Sequence, residues 1–189
     1  MSATDDITWR VRPAEIGDIP ALQEIEVDAG RRFRDIGMDS IADDDPFDDV
    51  VLGRHITDGT AWAAVDAEDR VLGYVLASMV DGEGHIDQVS VRFAAGRRGI
   101  GSALIREVCA WTEQRGIGSV TLTTFRDVSF NGPYYRTLGF VDIDDAQLGP
   151  ELSAIRRNER ETGIEVAPRV AMRRQLAARG TGRSGRDDE

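Results

Sequence analysis

The sequence predicts a single α/β domain, a β-sheet of about six to seven strands flanked by helices. Three observations carry that expectation. Stretches of alternating or Val-, Leu- and Thr-rich character take turns with stretches of helical spacing, in the order βαα–βββ–α–β–α–β–(α)–β. A strand at His85–Val91 feeds a loop holding Gly96, Gly99 and Gly101 and then a helix opening near Ser102. The length, 189 residues and 20.7 kDa, suits one domain with a substantial core, and no repeat or domain-sized linker interrupts it.

In chain order, residues 1–7 form a lead expected to be disordered, residues 8–176 the domain, and residues 177–189 a Gly- and Arg-rich tail without periodicity. Thr8 to Arg12 alternates and reads as the first strand. Asp18 is placed to cap a helix whose first turn tolerates Pro20, and Leu22, Ile25 and Ala29 recur on one side until Gly30. Arg31 to Val50 has scattered apolar residues and an acidic cluster, Asp43, Asp44, Asp45, Asp48 and Asp49, before a second helix through Val50 to Ile56. Ala61–Val65 and Val71–Val80 read as strands joined by a turn. The helix after the glycine loop buries Leu104, Val108 and Trp111 and stops at Arg115-Gly116. Ser119–Phe125 is the next strand, Asn131–Leu138 a short helix, and Phe140–Ile143 extended again. Pro150 opens a helix to Glu161, and Arg169–Arg174 is the closing strand.

Composition excludes several functions. A net charge of −11 and a pI near 4.7 argue against a general nucleic-acid binder or a membrane-surface protein. One cysteine, Cys109, rules out an intramolecular disulfide framework, and its mid-helix position lacks the surroundings of a nucleophile. No apolar run reaches membrane-spanning length and the N-terminus lacks a signal segment, so a cytoplasmic location is expected. No cluster of Cys, His and carboxylates has metal-ligand spacing, and no metal is expected.

The glycine loop suits an anion, because unpaired amides and the positive end of the helix dipole converge at a helix start. A nucleoside-triphosphate loop requires Gly-Lys-Ser/Thr, and the chain contains no lysine. A dinucleotide fingerprint starting at Gly99 and Gly101 fails at its third position, Leu104. What remains resembles the pyrophosphate loop of the GNAT (Gcn5-related N-acetyltransferase) superfamily, Gln/Arg-x-x-Gly-x-Gly/Ala. Gly99-Ile100-Gly101 matches its second half. The Gln/Arg position falls on Gly96, with arginine displaced to Arg97. A second block, Asn131-Gly132-Pro133-Tyr134-Tyr135-Arg136-Thr137-Leu138-Gly139-Phe140, is similar to the family's Asn followed by Tyr-x-x-x-Gly-Phe, in the family's order and separation.

The resemblance covers roughly residues 8–175 and implies a mixed sheet in which His85–Val91 and Ser119–Phe125 splay apart. Coenzyme A would thread between them, its pantetheine pairing with strand backbone. Acetyl-CoA is the implied co-substrate. Its contacts would be the main chain of Val89, Ser90 and Val91, the loop Arg97, Arg98, Gly99, Ile100, Gly101 and Ser102, and Asn131 and Tyr135. Val89 and Val91 are core side chains in any case, and Asn131 could equally be a helix cap.

For catalysis, the N–H near Val89 would face the acetyl oxygen and hold the oxyanion. Tyr135 would assist the departing thiolate, while Tyr134 packs. The base is open. An amine of pKa about 10.4 is mostly ammonium at pH 7, and exposing its lone pair costs roughly 4–5 kcal/mol. Asp87, two residues before Val89 and read as lying on the same face, could take the proton directly or through water. His85 is a further candidate, more often structural at such a position, and His55 has no motif support.

The expected reaction is acetyl transfer to a primary amine of a small molecule by direct attack in a ternary complex. Transfer to a protein N-terminus or peptide is the rival within enzymes, and a non-catalytic acyl-CoA-binding module the rival outside them. The acidic segment around Asp39–Asp49 and the excursion from Gln147 to Pro168 would wall the acceptor site. The former would attract a cationic amine, although a charge run is usually just solvated. A homodimer stays open.

Overall fold

A computed structural model describes residues 8–177. The expected lead, and the tail beyond Ala177, lie outside those residues. Seven strands form one sheet: β1 (Trp9–Pro13), β2 (Ala61–Asp66), β3 (Val71–Val80), β4 (Glu83–Val91), β5 (Ser119–Phe125), β6 (Val141–Ile143) and β7 (Arg169–Gln175). Their order is β1-β2-β3-β4-β5-β7-β6, so the final strand inserts between β5 and β6. Every neighbouring pair is antiparallel except β4–β5, which is parallel, and the sheet is mixed as expected.

The helices cover both faces. On one lie α1 (Ile19–Arg34), the single-turn α2 (Asp39–Ala42), α3 (Asp49–Thr57) and, beyond β5, α6 (Pro150–Glu161). On the other lie α4 (Ile100–Gln114) and α5 (Gly132–Thr137). Leu104, Ile105 and Val108 of α4 pack on Val75, Ala77, Ile86, Val120 and Leu122, and Tyr135 and Phe140 close that core. Leu22 and Ile25 of α1 and Leu52 of α3 pack on Ala61, Ala63, Tyr74 and Leu76. Each fully buried leucine or isoleucine contributes about 1.5–3 kcal/mol, so α1 and α4 hold to the sheet mainly through these stripes. No helix among the described residues is long and apolar enough to cross a membrane.

Two local expectations are corrected. Helix α1 does not end at Gly30 but runs to Arg34. There the glycine provides clearance, since a Cβ would stand 3.3 Å from the Ala42 carbonyl of α2. Asp18 does not cap α1; its carboxylate takes Arg12 and the Glu15 amide, and a 3-10 turn at Ile16–Asp18 leads into the helix. Asp48 caps α3 by accepting the Val51 amide at 2.8 Å.

Two irregularities in β4 set the shape of the sheet's centre. Strands β4 and β5 pair only from Gly84–Ile86 to Val120–Leu122. Beyond Ile86, β4 continues against β3 and β5 against β7, so the two diverge and the β5-side edge of β4 has no strand partner from Asp87 to Val91. The second is a β-bulge: Leu76 opposes Gln88 while Ala77 opposes Ile86, which leaves Asp87 as the extra residue.

Candidate active site

The splay between β4 and β5 opens beside the loop that joins β4 to α4. Gly99 sits at φ +78°, a left-handed conformation that glycine adopts without strain, and turns the chain into the helix. Arg97 adopts φ +61°, which is uncommon for a side-chain-bearing residue. Both loop arginines, Arg97 and Arg98, are exposed and form no ion pair among the described residues. The first carbonyl engaged by α4 is that of Gly99, which accepts the Ala103 amide at 3.0 Å and the Ser102 hydroxyl at 2.8 Å. Among the described residues, the six successive amides from Arg97 to Ser102 have no acceptor. They are a run of open donors at the positive end of a 15-residue helix.

Asn131 lies across the splay, where the chain leaves β5. It does not cap α5; its amide group donates to the Thr124 hydroxyl at 2.9 Å. Its Oδ1 is enclosed and has no partner among the described residues. A buried amide oxygen left without a donor costs roughly 1–3 kcal/mol, so a ligand donor there would relieve it. Tyr135 is buried against Phe140 and Tyr134, with ring centroids 5.8 and 5.5 Å away. Burial pushes its phenol well up, helped by Tyr134 and opposed by Arg169. Its hydroxyl donates to no acceptor among the described residues and, unlike Asn131 Oδ1, is not sealed from solvent. Tyr134 packs half-buried against the α4 core.

The bulge corrects one reading of β4. Val89 and Val91 turn their side chains to the α4 core, but Asp87 and Gln88 both project to the α1 side. Asp87 and Val89 therefore do not share a face, because the extra residue shifts the period-2 alternation. The Asp87 carboxylate accepts the Ser78 hydroxyl at 2.9 Å. The side chain is exposed, yet desolvation by the surrounding protein raises its pKa, opposed by the Ser78 bond and the neighbouring charge of His55. His55 is occupied elsewhere: its Nδ1 lies 3.0 Å from Thr60 Oγ1 and 3.1 Å from the Ala77 carbonyl. His85 is buried, with Nδ1 2.8 Å from the Thr121 hydroxyl. Burial lowers its pKa to about 4 against the pull of Glu159, so it is neutral near pH 7 and serves the core.

Two polar groups on the same side of the sheet have no counterpart in the sequence expectations. Glu26 of α1 accepts the Tyr74 hydroxyl at 2.7 Å, the Gln88 amide at 3.1 Å and the Phe47 backbone amide at 3.2 Å. Burial raises its pKa, which the Tyr74 and Phe47 donors oppose and Asp44 reinforces. On the α6 side, Glu159 takes Arg169 at 2.8 Å, Thr123 and Arg156. Burial would raise Glu159, but Arg169, Thr123 and Arg156 overcome it and hold the carboxyl below its usual range. The signal was present in each case as a charged residue on an apolar helical stripe: Glu26 beside Leu22 and Ile25, and Arg156 and Glu159 beside Leu152.

Three of the six aspartates of the acidic segment are engaged in structure. Asp43 pairs with Arg34, Asp48 caps α3, and Asp49 accepts Gln23 at 2.8 Å. Its neighbour, the turn after α1, lines an open groove of about 490 Å³ with Ile36 and Met38, facing Asp127, Val128 and Ser129 and, from the excursion before β7, Ala167 and Pro168. Among the described residues, no group of three or more His, Cys, Asp and Glu comes together as a metal site.

A mixed sheet parted beside a glycine loop and a helix start is the arrangement that the resemblance to the GNAT superfamily implies. The family model for the Acetyltransferase (GNAT) family matches residues 20–140, well over half of the chain, and the protein belongs to that family. Acetyl-CoA is the co-substrate that goes with this membership. Solved structures share the fold at low identity. PaiA N-acetyltransferase from Thermoplasma acidophilum, in complex with coenzyme A, is similar at TM-score 0.68 and 15% identity, over 90% of this chain and 100% of that one. The ribosomal-protein-S18-alanine N-acetyltransferase from Escherichia coli gives TM-score 0.63 and 14% identity, over 93% and 98%. N-acetylglutamate synthase from Neisseria gonorrhoeae, complexed with coenzyme A and N-acetyl-glutamate, gives TM-score 0.66 and 18% identity over 92% of this chain. The present chain spans 36% of that synthase's length.

Proposed function

We propose that this protein transfers an acetyl group from acetyl-CoA to a primary amine by direct attack in a ternary complex. The observation that carries the reading is the pairing of an open β4 edge with six unengaged amides at the adjoining helix start. The residues present fit the coenzyme on three counts. A diphosphate needs convergent donors, and the amides of Arg97, Arg98, Gly99, Ile100, Gly101 and Ser102 have no other acceptor among the described residues. The amide-bearing pantetheine arm needs a strand edge, which the main chains of Val89 and Val91 offer on the β5 side, while Ser90 between them pairs with Tyr74 of β3. The arm's N–H groups need acceptors, and Asn131 Oδ1 is enclosed without a donor.

When bound, acetyl-CoA supplies an activated thioester carbonyl. The Val89 N–H, held rigid by β3, serves as the oxyanion donor; one such preorganised donor is typically worth about 10²–10³ in rate. Tyr135 keeps its proton across the physiological range and donates a hydrogen bond to the departing sulfur. Asp87 accepts the amine's proton, directly or through a water, and its raised pKa makes it a better base than a solvated aspartate. The acceptor enters on the α1 side, where Asp87 faces. The open groove between the Ile36–Met38 turn and Ala167–Pro168 takes one wall from the expected excursion and the other from the turn that precedes the acidic segment, and it suits a small molecule or the end of a peptide.

The test offers labelled acetyl-CoA to a panel of small amines and, separately, to peptides with free N-termini, scoring label transfer and free thiol. Transfer to small amines is expected. Transfer to peptides alone would reassign the acceptor. Tight coenzyme binding without any transfer would make the protein a binding module.

A further inference from the structure

The family's loop pattern begins with Gln or Arg, and this chain has Gly96 there. Another residue occupies that space. A Cβ built on Gly96 would lie 2.6 Å from Nη2 of Arg32, a side chain delivered from the last turns of α1. Arg32 is held in a slot between two aromatic rings, its guanidinium carbon 5.5 Å from the centroid of Phe93 and 6.0 Å from that of Phe130. Phe93 starts the loop after β4 and Phe130 ends the loop after β5, so Arg32 spans the two ends of the splay. The adjacent Phe33 fixes this position, packing edge-on to Phe125 at 5.7 Å and Phe130 at 5.1 Å.

Its charge is uncompensated. Arg31 pairs with Asp28 and Arg34 with Asp43, but Arg32 has no carboxylate within ion-pair distance among the described residues. Its Nε is enclosed and lacks an acceptor there. The chain carries 34 acidic residues against 23 basic ones, so a partly buried cation with no acid beside it needs an explanation. Aromatic stacking explains why the stem is held, but not why the charge is left open beside a row of free amides.

We propose that Arg32 is the side-chain cation of the coenzyme's phosphate site, replacing from α1 the side chain that the loop lacks at Gly96. A guanidinium suits phosphate, with flat donors in a fixed fork. This rests on the coenzyme reading above and adds to it that α1, an acceptor-side helix, also clamps the coenzyme. The position of Arg32 would then couple coenzyme binding to the order of the α1–α2 turn.

Calorimetric titration with coenzyme A tests this, using wild type, Arg32→Ala, Arg32→Gln, and Arg32→Ala combined with Gly96→Arg. Removing a charge-assisted hydrogen bond from such a site should weaken coenzyme A binding by about 10- to 100-fold. The weakening should be smaller for pantetheine, which has no phosphates, and should shrink as salt rises. Gly96 has φ −62° and ψ 159°, a conformation any residue adopts. With Arg32 removed, a Cβ there meets only the Phe93 carbonyl at 3.2 Å, a contact that a shift of a few tenths of an ångström relieves, so the combined variant should recover most of the affinity. Arg32→Gln keeps the stem between the rings and decides the matter if Arg32→Ala fails to fold. Wild-type affinity in Arg32→Gln, or equal losses for coenzyme A and pantetheine, overturns the proposal while leaving the coenzyme site standing. Failure of the wild type itself to bind would remove both.

Discussion

Replacing Asp87 by Asn should slow transfer to an alkyl amine by about 10²–10³-fold at pH 7, within the range typical of general-base assistance. The substitution is nearly isosteric, and Asn can still accept the Ser78 hydroxyl, so the bulge keeps its shape and only the proton acceptor is lost. An amine of pKa about 10.4 is about 3.4 pH units from its free base at pH 7, a cost of roughly 4.6 kcal/mol. In the proposed mechanism Asp87 would reduce that cost by taking the proton within the complex. The deficit of the variant should therefore narrow as pH rises and nearly vanish near the amine's own pKa. Release of coenzyme thiol, measured from about pH 6 to about pH 10 with saturating acetyl-CoA, reads both the size and the slope. A variant within about threefold of wild type at pH 7, with the same pH profile, would refute Asp87 as the base.

The same geometry carries four further expectations. Ser78→Ala removes a donor that stabilises the charged carboxylate, so the acidic limb of the rate profile should move to higher pH; an unmoved limb contradicts the contact. Tyr135→Phe should lower kcat by about 10²-fold while coenzyme affinity measured by calorimetry is retained, and unchanged turnover would take the phenol out of the reaction. His85 has a folded pKa of about 4 against about 6.5 unfolded, so stability present above pH 6.5 should fall by about 2–3 kcal/mol towards pH 4.5. Urea unfolding at both pH values should show that loss, and His85→Gln should abolish most of it. Glu159→Leu leaves the buried Arg156 and nearby Arg169 without their shared carboxylate and should cost about 3–5 kcal/mol in the same assay.

The sequence made the sheet legible where its periodicities are strong. Ser119–Phe125 and Pro150–Glu161 fall at their predicted limits, and β2, β3 and α4 within a residue or two. The loop and the Asn131–Phe140 block carried the resemblance to the family that the chain belongs to, because glycine and aromatic spacing there is set by local backbone needs. What stayed hidden is non-local. The Asp87 bulge is a one-residue register slip that alternation cannot reveal, since it depends on how β3 pairs with β4. Gly30 has the composition of a helix stop, yet packing against α2 uses it inside the helix. The carboxylate of Glu26 and the guanidinium of Arg32 acquire their meaning from strands and loops dozens of residues away. The insertion of β7 between β5 and β6 is likewise a tertiary choice.

The central claim is that the amides of residues 97–102 and the β5-side edge of residues 87–91 hold the coenzyme. Amide hydrogen exchange with and without saturating coenzyme A addresses those groups one by one. Strong added protection is predicted at Arg97 to Ser102 and at alternate positions of Asp87 to Val91, with little change in β1 and β2. Binding that leaves both segments exchanging as in the free protein would contradict the account.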